Sequence, residues 1–205
     1  MVDNVEVINY IRFQLEQLSA KNGHHDFEHL CRHLTRATIC SNILPATGPV
    51  SAGGDQGRDF ETFKTELKLT PAINSSFVSL VSQKAVAFAC TIQKSNIESK
   101  IREDIDKLML NSKCEAICYF CVIDLPVAKR HELKSWAEAK YSTPLEIFDG
   151  QAISELLAIR ELFWIAQRFL GVPSELYPRS QDEADWYGQS IRAWQSKKLP
   201  DLTFR

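Results

Sequence analysis

Two nearly continuous apolar runs, KAVAFACTIQ (84–93) and CEAICYFCVIDLP (114–126), each lead into an amphipathic segment, and this pairing restricts the fold more than any other feature of the chain. Successive side chains of a strand point to opposite faces, so a strand that is apolar at nearly every position must be covered on both sides. After the first run, SNIESKIREDIDKLML sets Ile97, Ile101, Ile105 and Leu108 on one helical stripe. After the second come the charged amphipathic helix AKRHELKSWAEAKY, the short strand PLEIF and the helical segment GQAISELLAIRELFWIAQRFL. Alternating strand and helix predicts an α/β sheet with parallel central strands.

Upstream, Val5, Ile8, Ile11, Leu15 and Leu18 recur every three or four residues and predict a helix from Asn4 to Leu18, ending before KNG. A second helix is expected to start at Asp26, whose carboxylate would cap it, with Phe27, Leu30, Cys31 and Leu34 facing inward. The stretch SNILPATGPVSAGGDQG, between Cys40 and Arg58, reads as a long loop, and RDFETFKTEL alternates like a strand. Long loops of this kind often carry function. From Val172 to Arg205 the chain turns polar and Pro-bearing, and is expected to be a linker or the start of a following domain in a larger protein.

At 205 residues, one domain is the default, and 44% apolar with 24% charged residues excludes collagen-like and wholly disordered chains. No window approaches the roughly 18 to 20 apolar residues of a membrane helix, and MVDNVEVINYIRFQ carries charges where a signal peptide would be apolar. A cytoplasmic location without membrane contact is the expectation. The formal charge of −2 argues against a strongly basic surface, while remaining compatible with a local cleft.

Six cysteines without a signal peptide read as reduced thiols in apolar surroundings. Cys114, Cys118 and Cys121 have a C-x3-C-x2-C spacing that suggests an iron–sulfur cluster, but strand alternation would send Cys118 and Cys121 to opposite faces. Core packing is the expected role. His25, His29 and His33 recur at i, i+4, as zinc-binding histidines do, but no third ligand type is evident and a solvated polar face is expected. The glycine-rich GPVSAGGDQGRDFE lacks the Lys-Ser/Thr of a phosphate-binding loop and runs into a strand rather than a helix. It delivers Asp59 to the start of that strand, with Glu61 on the same face of the pleat: either a ligand for a hard cation such as Mg²⁺ or a solvent-exposed turn acid.

The order of these elements carries a further reading. A helix with F-E-H-L, a G-G-D-x-G-R-D turn into a strand, an apolar strand with the polar tip TIQK and a Lys-bearing helix together resemble the PD-(D/E)xK restriction-endonuclease family, in its Mrr-like branch. The resemblance spans roughly Asp26 to Leu170, with GGDQGRDFE its strongest piece. It implies a restriction-endonuclease-like central mixed sheet flanked by helices over residues 1–171, with 172–205 outside the nuclease domain. It makes Glu28 and Asp59 the metal-binding acids for Mg²⁺, or Mn²⁺ in its place, and KAVAFACTIQK the strand of the E/Q-x-K pair. The family register puts Ala89 and Thr91 at that pair, leaving Gln93 and Lys94 near the strand end and Lys100 to reach in from the next helix. The implied activity is cleavage of double-stranded DNA by a homo-oligomerising effector, of the kind fused to STAND-type NTPases in antiviral defence. The departure at E/Q-x-K keeps a second possibility open, an inactive nuclease fold used for DNA binding or self-association.

Overall fold

The apolar run KAVAFACTIQ becomes a strand buried on both faces, around which a computed structural model arranges the rest of the chain. The structure describes residues 4–40, 43–45, 59–62, 85–111 and 114–178. Their order is α1 (Asn4–Ala20), α2 (His24–Thr38), β1 (Ile43–Pro45), β2 (Phe60–Thr62), β3 (Val86–Thr91), α3 (Ile97–Asn111), β4 (Ala116–Cys121), α4 (Val127–Tyr141), β5 (Leu145–Phe148), α5 (Gly150–Leu157) and α6 (Phe163–Leu170). The five strands form one mixed sheet in sequence order. β1, β2 and β3 pair antiparallel; β3, β4 and β5 pair parallel.

Strand alternation divides the core into two layers. Val86 and Phe88 of β3, with Ala116, Cys118 and Phe120 of β4, face α1, α2, α5 and α6. Ala87, Ala89, Ile117, Tyr119 and Cys121 face α3 and α4, where Ile97, Ile101, Ile105 and Leu108 supply the predicted stripe. Cys118 and Cys121 lie in opposite layers, as alternation requires, and all six cysteines are free thiols. Burial raises the Cys118 thiol well above its ordinary pKa and pushes Cys121 up to about 12. Neutral thiols of this kind are packing groups.

The chain departs from its sequence pattern in three places. The first is the start of α2, two residues ahead of Asp26. The Gly23 N–H donates to the Leu18 carbonyl at 2.8 Å, and Asn22 takes φ 54°, so the chain reverses tightly and helix begins at once. Asp26 therefore sits in the first turn and not at the cap, where its charge faces the positive end of the helix dipole. The second is GQAISELLAIRELFWIAQRFL, which is two helices broken over residues 158–162. A single helix of this length would run about 1.5 Å per residue past the sheet. The break lets Ile153 and Leu157 on one side, and Phe163, Ile165 and Ala166 on the other, reach the same core. The third is the start of the expected linker: Val172 is buried, and the Tyr177 ring meets Phe163 edge-on at 5.5 Å, so packing continues to residue 178. Most of the glycine-rich loop, the later part of RDFETFKTEL and residues 179–205 lie outside the described residues.

Gly150 marks where α5 leaves β5. An added Cβ there would lie 2.5 Å from the Val122 carbonyl oxygen and 3.1 Å from Asp124 Oδ1, both in the segment leaving β4. Backbone cannot yield as a side-chain tip can. Gly150→Ala is expected to cost about 1–3 kcal/mol, read as a lower urea midpoint with an unchanged slope.

Candidate active site

Asp59, around which a site is expected, lies beside the carboxyl half of β3 at the start of β2. Asp59 occupies the bend ahead of β2, its N–H donating to the Phe88 carbonyl at 2.9 Å. Its carboxylate Oδ2 accepts the Cys90 N–H at 2.6 Å. A backbone donor so placed fixes the orientation of the acid.

The next side chains around Asp59 are sulfur. Cys31, buried in α2, and Cys90, in β3, lie close enough for their thiols to interact. Burial is the main cause that raises the Cys31 pKa, and the charges of Asp59 and Glu28 raise it further. The Cys90 pKa is raised chiefly by its hydrogen bond with Cys31, then by burial and by Asp59. The charges of both acids thus act on one buried thiol. Glu28 also pairs with His25 at 3.8 Å when that imidazole is protonated.

Other expected residues fall elsewhere. Glu61 alternates against Phe60, whose ring lies in the α2 layer, so Glu61 stands on the other face of the pleat. Ala89 lies in the α3 layer, and alternation sends Thr91 the same way, so the expected E/Q-x-K register points away from α2. Cys90 and Ile92, packed against the α2 layer, hold the positions on that side. Gln93 and Lys94 follow β3 at the correct end; Gln93 donates to the Ser95 carbonyl at 2.6 Å, and Lys94 is exposed.

Lys100 belongs to a different cluster. It lies in α3, the helix covering the opposite face of the sheet, and its ammonium donates to Asp104 Oδ1 at 2.7 Å. The Tyr119 hydroxyl donates to Asp104 Oδ2, also at 2.7 Å, and its pKa is raised by burial and then by the charge of Asp104. Lys100 is therefore a counter-ion for a nearly buried acid and is not brought to Asp59. Tyr119→Phe is expected to cost about 1–3 kcal/mol, because Asp104 would lose a buried donor; a thermal melt checks it.

Among the described residues, no group of three or more His, Cys, Asp or Glu side chains is arranged to hold a metal ion. Mg²⁺ asks for less: it commonly keeps several waters and takes one or two carboxylates together with substrate phosphates. Asp59 and Glu28 fit that demand in number and in donor chemistry. The neighbouring Cys31 and Cys90 remain protonated, which disfavours a thiophilic ion. Cys31 and Cys90 were not legible as site residues, since each reads as core within its own segment and only the packing of α2 on β3 joins them. No protein-family model matches the chain, and no curated protein or solved structure matches it either.

Proposed function

We propose that this chain is a Mg²⁺-dependent endonuclease domain that hydrolyses phosphodiester bonds in double-stranded DNA, on a restriction-endonuclease-like fold. The observation that carries the reading is the placement of Asp59, held by the Cys90 N–H at the carboxyl end of β3, in the same electrostatic neighbourhood as Glu28 of α2. A sheet whose antiparallel β1–β2–β3 half continues into parallel β3–β4–β5 accords with the central mixed sheet that the resemblance implies. When bound, Mg²⁺ would neutralise phosphoryl oxygens and lower the pKa of a water ligand. Asp59 and Glu28 would hold it, and the backbone N–H of Cys90 keeps the Asp59 carboxylate aimed. Lys94, exposed in the segment leaving β3, would supply the cation that stabilises charge at the cleaved phosphate. The setting proposed for this activity is a cytoplasmic antiviral effector attached to a STAND-type NTPase, whose oligomerisation would bring copies of the domain onto both DNA strands.

A second reading, an inactive nuclease fold that binds DNA or itself, is favoured by one observation. Ala89 and Thr91 stand in β3 where the family register asks for an acid or glutamine and a lysine, and both turn toward the α3 layer. Digestion of supercoiled plasmid with and without Mg²⁺ separates the two. Metal-dependent nicking lost in Asp59→Asn supports the enzyme; identical plasmid patterns for the two proteins leave the second reading.

A further inference from the structure

The two helical layers balance their charges differently. On α3 and α4, cations meet carboxylates: Lys100 with Asp104, Arg102 with Glu132, Lys129 with Glu98, Lys134 with Glu146 and Lys140 with Asp106. On α2 and α6, Arg32, Arg36 and Arg168 have no carboxylate partner among the described residues. Arg32 contacts the His29 ring through Nη2 and leaves its buried Nε without an acceptor. Arg36 donates to the Ile43 carbonyl at 3.0 Å, and the Arg168 guanidinium lies 5.7 Å from the Phe169 ring centre.

Rings lie between these cations. His33 stacks on Phe169 at 5.5 Å and meets Trp164 edge-on at 5.4 Å, while His29 stacks on Phe169 at 6.3 Å. Trp164 remains 45% exposed. The histidines are thus not only a solvated face; they form an aromatic seam with α6. The pKa of His33 is lowered by burial first and then by the charges of Arg32, Arg36, His29 and Arg168. In a chain of net charge −2, such a concentration of cations without carboxylate partners among the described residues is a local feature of this face.

We propose that the α2/α6 face binds single-stranded nucleic acid, with Arg36 and Arg168 on phosphates and Trp164 stacked on a base. Guanidinium groups set among rings suit a strand whose bases are unstacked and present π-faces. A duplex hides those faces, and an acidic peptide would use the arginines but not the indole. The proposal rests on the nuclease reading only for its setting, because α2 also carries Glu28: a strand held here would leave the duplex beside the acids.

The test is fluorescence anisotropy of a labelled 15-nucleotide oligo-dT in EDTA, with the full chain. Wild-type protein is expected to bind it better than a blunt duplex of equal length. Arg36→Gln/Arg168→Gln should weaken binding roughly 10-fold or more and flatten the salt dependence by about 1.4 in log–log slope, the value for two phosphates on a single strand. Trp164→Leu should weaken it by at least about 5-fold. Arg36→Lys/Arg168→Lys should recover most of the affinity, and unchanged melting temperatures would separate lost binding from lost fold. Wild-type affinity in the glutamine and leucine variants, a preference for duplex, or equal competition by polyglutamate would overturn the proposal. Binding without metal-dependent cleavage would sustain it and refute the nuclease; cleavage lost in Asp59→Asn, with oligo-dT binding indifferent to Arg36 and Arg168, would do the reverse.

Discussion

Asp59→Asn is expected to abolish Mg²⁺-dependent plasmid cleavage, by at least about 10²-fold, while leaving the protein folded. The substitution keeps an oxygen to accept the Cys90 N–H, which the carboxylate now accepts at 2.6 Å, so the bend ahead of β2 retains its anchor. It removes the charge that a hard cation needs. A second readout follows from linkage: a ligand that binds only the native state raises its stability, so Mg²⁺ or Mn²⁺ should raise the melting temperature of the wild type and not of the variant. Glu28→Gln should lower metal affinity less, since Mg²⁺ tolerates water in place of one carboxylate. A metal-induced shift that survives Asp59→Asn would place the cation elsewhere and remove Asp59 from the mechanism.

The largest effect on stability is expected at Phe120. Its ring is fully buried in β4, stacks on Phe148 of β5 at 4.9 Å and lies 6.4 Å from Phe60 of β2, which in turn stacks on Phe88 of β3 at 4.7 Å. Phe120 therefore joins rings from across the sheet beneath α1, α2, α5 and α6. Phe120→Ala should cost about 3–5 kcal/mol, because neighbouring strands hold the backbone apart and the cavity cannot collapse. For a chain of this size that corresponds to a fall of roughly 6–20 °C in melting temperature. Phe148→Ala should cost less, since Phe148 is only half-buried on β5. Equal losses at the two positions would mean that the ring stack, and not burial, sets the energy.

The strand-and-helix alternation from Val86 to Phe148 was legible because each apolar run has one physical solution. A strand without a polar face must be covered on both sides, and the Ile97–Ile101–Ile105–Leu108 stripe has the period of the helix that covers it. The opposed faces of Cys118 and Cys121 followed from the same rule. Less legible was the break between α5 and α6: nothing in AIREL breaks a helix locally, yet the two helices on either side of it pack on the same core. The packing of residues 172–178 was likewise hidden, since VPSELYP is polar and Pro-bearing although Val172 is buried and the Tyr177 ring meets Phe163.

For the site, the pattern pointed to Asp59 and Glu28 through local motifs; Asp59 lies beside the carboxyl end of β3 and Glu28 on α2. It could not choose among lysines, because a cation's role depends on which layer it occupies. Lys100 falls on the far face and neutralises Asp104, while Lys94 stays at the strand end. By itself, then, the order of residues determined the period of each element and the faces that must be buried, since these depend on neighbours within a few positions. Only the tertiary structure decided which groups meet: Cys31 with Cys90 beside Asp59, and the arginines of α2 with the rings of α6. Such contacts join segments far apart in the chain, and their energies exist only once the layers have packed.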